Sequence, residues 1–187
     1  MRIPIREVGG SEVLAGASVG RKTLGLLLER IDGETGRDPL LVYLDFEGVD
    51  VATASFLRES VLEFRDVVRR RCKTVYPVVA NASKTVVEEL SLLLGPQPDA
   101  VALCVLDESG RPHSPRLLGE LQPKQRVAFE LVRQAGETNA GELAANSKES
   151  GRQTVWNNRL ASLSRLGLVM ERSDGRAKRY RSLPLGE

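Results

Sequence analysis

Histidine and cysteine are almost missing from this chain, which has one His and two Cys in 187 residues. His113 lies in a Pro-flanked loop with no sequence neighbour that would make it the base of a nucleophile, which argues against triad chemistry. Cys72 and Cys104 lack metal-ligand spacing, and Cys104 sits inside an apolar strand, so both read as reduced structural thiols and no metal is expected. No run of about 18 or more apolar residues occurs, so no membrane span is expected. The amino terminus lacks the charged, apolar, small-residue order of a secretory signal, and the expected location is cytoplasmic. An intact phosphate loop is missing too. Gly16-Ala17-Ser18-Val19-Gly20-Arg21-Lys22-Thr23 has only three residues between its glycines, and an Arg precedes the Lys, which misplaces the backbone cradle; it reads as a loop and helix start. No enzyme activity, catalytic residue or cofactor is expected.

What remains is a 20.5 kDa chain with 41% hydrophobic residues, room for one or two small domains. Its formal net charge of +2 is unevenly divided. Residues 117–187 hold 12 Lys plus Arg against 8 Asp plus Glu, a net of +4, whereas residues 1–116 hold 15 against 17, a net of −2. The basic surplus belongs to the C-terminal part.

That part carries the clearest pattern. Pro123 suits the first position of a helix presenting Val127, Leu131 and Val132 to a common face. Asn139-Ala140-Gly141-Glu142 can cap a short second helix with Leu143 and Ala144 inward. Ser150-Gly151-Arg152-Gln153 has the Ser-x-x-Gln form of a capping box, making Ser150 the N-cap of a third helix over 151–166, on which Leu160, Leu163 and Leu166 recur. Gly167 and Leu168 read as a left-handed terminating glycine with its apolar contact. Leu168-Val169-Met170 then reads as a strand, Ser173-Asp174-Gly175-Arg176 as a turn, and 178–183 as the returning strand.

Thr154-Val155-Trp156-Asn157-Asn158-Arg159-Leu160, Leu163, Leu166-Gly167-Leu168-Val169 and the Asp174-Gly175 turn resemble the winged helix-turn-helix DNA-binding family, over about a third of the chain. The resemblance implies a recognition helix (151–166) in the major groove and a wing (170–183) along the backbone or minor groove. Helical spacing from Leu160 and Leu163 puts Trp156 on the buried stripe and Arg152, Gln153, Thr154, Asn157 and Asn158 on the opposite face. Those side chains can read base edges: Arg pairs with guanine, Asn or Gln with adenine, and the Thr methyl meets the thymine methyl. Arg172, Arg176, Lys178, Arg179 and Arg181 cluster on the wing, where they suit phosphates. A solvated charged hairpin is the plainer reading of the same cluster.

In the N-terminal part helical and extended patterns alternate, as in an α/β or α+β layered arrangement. Leu24, Leu27, Leu28 and Ile31 share a helical face. Leu40 to Phe46 reads as a buried central strand. Leu57, Val61, Phe64 and Val68 form the next helical face, with Arg58, Glu59, Glu63, Arg65 and Arg69 pointing away. Thr74–Ala80 and Ala100–Leu106 are strands flanking a helix over Ser83–Leu94, with Val86, Leu90 and Leu93 inward. Arg69-Arg70-Arg71 complements a helix C-terminus. Asp45 and Glu47 are expected to face opposite sides of the sheet and to serve nearby backbone rather than act as an acid–base pair.

Leu44 to Leu57, together with Asn81 after the following strand, resembles the STAS-like domain of unknown function, a relative of the anti-sigma-factor antagonists, over roughly residues 10–107. In the antagonists the matching loop holds an acidic residue, a glycine and a serine that a partner kinase phosphorylates. Here Thr53-Ala54-Ser55-Phe56 lacks the acid and the glycine. Thr53 and Ser55 are expected to cap the helix starting near Ala54, with phosphoacceptor or ligand contact as the alternative.

Residues 107–115 are rich in turn formers, either a hairpin completing the first sheet or a linker. The expected fold class is α/β, a STAS-like mixed sheet with helices over 1–116, joined to an α+β winged helix over 117–187. The expected function is sequence-specific binding of double-stranded DNA by a prokaryotic transcriptional regulator, acting as a homodimer. The alternative is a partner-switching module whose N-terminal domain binds a regulatory protein and whose winged helix makes protein contacts.

Overall fold

Strands β3 (Leu40–Asp45), β5 (Val75–Ala80) and β6 (Ala100–Leu106) form the middle of a sheet whose faces are both covered. The computed structural model describes residues 1–33, 36, 38–146, 152–175 and 177–186. Along each strand the residues alternate between two apolar clusters, as the two-residue period of extended backbone requires. Val42, Leu44, Val75, Val79, Val101 and Leu103 face one way, and Val78, Ala80, Ala100, Ala102 and Cys104 the other. A sheet buried on both faces explains the near-continuous apolar runs.

The sheet has the order β1-β3-β5-β6-β7, with β1 (Arg2–Pro4) on one edge and β7 (Pro112–Gly119) on the other. β1, β3, β5 and β6 run parallel, and β7 returns antiparallel on β6. Residues 107–111 therefore make the turn of a hairpin that completes the sheet. The chain is mixed α/β.

The first face is covered by α2 (Ala17–Ile31), α4 (Glu63–Arg71) and α5 (Lys84–Leu94), through Leu27, Ile31, Phe64, Val68, Val86, Leu90 and Leu94. On α5, Leu94 is buried and Leu93 only half-buried, so the inward position falls one residue later than expected. A short α1 (Ile5–Gly9) and the paired strands β2 (Val13–Leu14) and β4 (Val51–Ala52) precede α3 (Ala54–Leu57), which passes through a π-helical turn (Arg58–Leu62) into α4. Gly16, at φ 87°, leads into α2 as a loop and helix start.

The second face is covered by the C-terminal part: α6 (Pro123–Ala135), β8 (Glu137–Thr138), α7 (Ala140–Asn146), α8 (Gln153–Arg165), β9 (Val169–Asp174) and β10 (Ala177–Ser182). Ala128, Val132, Leu143, Trp156, Leu160, Leu163 and Tyr180 share one apolar cluster with Val78, Ala80, Ala100 and Ala102 of the sheet. On α6 the inward positions are Ala128 and Val132, whereas Val127 is exposed, because the helix presents only one narrow stripe to this cluster. β8, β10 and β9 form a second sheet in that order.

Two expectations for the N-terminal part are corrected. Arg65 and Arg69 do not point to solvent; they are 6% and 5% exposed. Helix α4 is covered from two sides, by its own sheet and by α8 with the loop before β6, so residues beside the apolar stripe are enclosed as well. Asp45 and Glu47 do not diverge. Residues two apart on extended backbone share a side rather than alternate, and both carboxylates turn onto Arg2 just past the end of β3. Asp45 also accepts bonds from the Glu47 N–H and the Asn81 side chain.

Candidate nucleic-acid interface

Helix α8 is set by what anchors its inner side. Trp156, Leu160 and Leu163 are fully buried, as the spacing predicts, and the Arg159 guanidinium lies 4.5 Å from the Trp156 ring centroid. Gln125 on α6 accepts the Gln122 N–H with its side-chain oxygen and donates its amide to Ser162, so one residue caps α6 and fastens it to α8. Helix α7 opens with reciprocal bonds: the Asn139 side chain accepts the Gly141 and Glu142 N–H groups, and the Glu142 carboxylate accepts the Asn139 N–H. At the far end of α8, Leu168 N–H bonds Leu163 O and Gly167 N–H bonds Ser164 O, with Gly167 at φ 76°. This six-to-one and five-to-two closure is a Schellman motif, and a left-handed residue at that position favours glycine.

The start of α8 differs from expectation. Its first helical residue is Gln153 and the capping position is Arg152, whose side chain makes no capping bond. Ser150 and Gly151 lie outside the described residues. Arg152, Gln153, Thr154, Asn157 and Asn158 are all exposed. They do not form the single opposite face expected: the helical period sets Thr154 and Asn158 opposite Trp156, Leu160 and Leu163 and Asn157 beside them, whereas Gln153, seven residues before Leu160, lies at the edge toward Gly141 of α7 and Arg152 precedes the first turn.

The wing behaves otherwise. β9 and β10 pair antiparallel, with Gly175 at φ 59° in the turn. Glu137 on β8 reaches across this sheet and accepts from Arg172 at 2.9 Å and from Arg179 at 2.7 Å, and Arg179 also reaches Glu142 at 3.2 Å. Lys178 pairs with Glu171 at 2.7 Å. Three of the cations expected on phosphates therefore already hold carboxylates of the protein. The hydrogen bonds from Arg172 and then Arg179 keep the Glu137 carboxyl below the usual carboxylate range. Arg181 is exposed and has no ion pair among the described residues, and Arg176 lies outside them.

The connection to the N-terminal part was not visible in the sequence. Arg69 donates to the backbone carbonyls of Ser164, Lys73 and Val75 and to the Ser164 hydroxyl. Its guanidinium stacks 4.1 Å from the Tyr76 ring centroid, and the Tyr76 hydroxyl accepts the N–H of Glu171. One buried arginine thus ties α4 and β5 to the end of α8, with Tyr76 carrying the link to β9. Arg65 makes a two-pronged pair with Asp99 at 2.8 and 2.9 Å. The triple-arginine run was the available signal, but a helix-end cluster looks the same whether its members are solvated or enclosed.

Thr53 caps α3 as expected: its hydroxyl accepts the Phe56 and Gly16 N–H groups and lies 3.2 Å from the Ser55 hydroxyl. The Glu89 carboxylate accepts the Ala54 N–H at 3.0 Å. An anionic side chain already occupies this helix start, so a phosphate on Ser55 or Thr53 would meet like charge. Among the described residues no three His, Cys, Asp or Glu side chains could jointly hold a metal ion, and no helix is long and apolar enough to cross a membrane. No protein-family model matches the chain, and no curated protein matches it in sequence.

Proposed function

We propose that residues 117–187 are a winged helix-turn-helix unit that binds double-stranded DNA, attached to a STAS-like α/β unit formed by residues 1–116. The protein acts in the cytoplasm as a transcriptional regulator and pairs with itself, because a single short helix buries too little surface for tight binding and paired half-sites one helical turn apart supply the rest. The observation that carries this reading is that Arg152, Gln153, Thr154, Asn157 and Asn158 are all exposed along the N-terminal half of a helix whose Trp156, Leu160 and Leu163 are fully buried. In the major groove these side chains offer bidentate donors and acceptors to base edges. Arg181 and the N-terminal turn of α8 supply phosphate contacts, and Arg172, Lys178 and Arg179 join only by exchanging carboxylates for phosphates.

Mobility shift with random duplex DNA at two salt concentrations tests the reading, followed by selection of bound fragments from a genomic library. Binding should weaken steeply with salt. Asn157→Ala with Asn158→Ala should reduce discrimination between selected and random sites by about 1–3 kcal/mol while leaving random binding near wild type. Arg181→Ala should weaken both alike and lower the salt slope by about one. Equal losses from the two variants would refute the division of roles.

A second reading has one observation in its favour: the wing's carboxylate partners neutralise much of its charge. In that reading the C-terminal unit makes protein contacts and the N-terminal unit binds a regulatory partner. Failure to bind duplex at low salt would select it.

A further inference from the structure

A cavity of about 390 Å³ opens between the two parts of the chain, bounded by β6 and β7 on one side and by α6, β10 and the segment 183–186 on the other. Its floor is apolar, made by Leu117, Phe129, Leu168, Leu183 and Leu185. Its rim is cationic. Arg116 on β7 and Arg126 on α6 are both exposed, and neither has an ion pair among the described residues. Arg133 and Glu130 also line it and pair with each other at 3.3 Å, which leaves two uncompensated guanidiniums.

We propose that this cavity binds a small organic anion, a carboxylate carried on a short apolar body. The volume lies at the lower end of the range for small-molecule sites, which are mostly apolar with a few convergent polar groups. Guanidinium forks match a carboxylate's two oxygens, and the apolar floor suits a short hydrocarbon body. A fully apolar ligand would leave both arginines without a role. Because the walls come from both parts of the chain, an occupant fastens them together and raises the stability of their junction by mass action.

The proposal stands apart from DNA binding and is tested without DNA. The full chain is titrated with 4-phenylbutyrate in a calorimeter and melted with and without it, beside 4-phenylbutanol and 4-phenylbutylamine. The acid should bind and raise the melting temperature, the alcohol should bind about tenfold more weakly, and the amine should not bind. Arg116→Gln with Arg126→Gln changes two exposed residues and should melt like wild type without ligand, yet bind the acid about tenfold more weakly. No heat and no melting shift with millimolar acid would overturn the proposal, as would equal binding of acid and alcohol, or unchanged binding by the double arginine variant.

Discussion

At the scale of single residues the informative positions are polar groups that burial has forced into commitments. Arg69 satisfies three carbonyls and a hydroxyl from an enclosed site, where its charge is partly desolvated and its pKa lowered by that burial. Arg69→Met keeps the packing of the stem but orphans those carbonyls, and should cost about 2–4 kcal/mol in urea denaturation. Tyr76→Phe keeps the ring under the guanidinium and removes only the acceptor of the Glu171 N–H, so the loss should be smaller, about 1–2 kcal/mol. Should Tyr76→Phe prove the costlier, the hydroxyl rather than the arginine would hold the junction. Cys104 makes a different case. Burial, with the Asp45 charge adding to it, pushes its thiol up to about 11. Near pH 8 only about one molecule in a thousand carries the thiolate, so iodoacetamide should label Cys72 alone in the native protein and Cys104 only after unfolding, by mass spectrometry. Of the two, only the cysteine was legible in the sequence: Cys104 gave away its burial through its apolar strand, whereas Arg69 sits in a charged run that reads as surface.

At the scale of elements, legibility followed locality. The end of α8 at Gly167, the Asn139 cap, Pro123 at the start of α6 and the Gly175 turn were readable because each depends on residues a few positions apart. The inward Trp156 followed from helical period alone. Strand β8 was not readable, since it is two residues long and exists by virtue of β10, more than 40 positions later. With it went Glu137, and with Glu137 the state of the wing. Glu137 has its folded pKa depressed, so its contribution to stability is present above the ordinary carboxylate pKa and is lost as pH falls through the lowered value. Glu137→Gln should therefore flatten the acid limb of the melting temperature against pH. The same substitution releases Arg172 and Arg179 from their strongest partner. If the wing lies on DNA backbone, Glu137→Gln should raise affinity for random duplex and steepen the salt slope by up to about 1.8, two phosphates at about 0.9 each. An unchanged slope would take the wing off the backbone.

At the scale of the whole molecule, the two stretches with different charge and pattern do not keep separate interiors. Trp156, Leu160, Leu163, Ala128 and Val132 belong to one buried cluster with Val78, Ala80, Ala100 and Ala102 of the sheet. Sequence pattern marks which residues of a strand face inward but not which helix, some 50 to 80 positions on, will cover them, so this shared interior had no local signature. It makes the unfolding behaviour predictable. The chain has a single tryptophan, and Trp156 lies inside the shared cluster, so its fluorescence reports the C-terminal interior, whereas circular dichroism near 222 nm reports helices α2, α4, α5, α6 and α8 together. With a common core and Arg69 bonded across the junction, urea should take both signals through one transition with one midpoint. A fragment of residues 117–187 alone would lose the sheet's side of this cluster, Val78, Ala80, Ala100 and Ala102, and should show red-shifted tryptophan emission and dye-binding apolar surface. Separate midpoints in the full chain, or a fragment whose tryptophan stays as shielded as in the whole protein, would mean that each part closes its own core and that the contact between them is only a docking of finished domains.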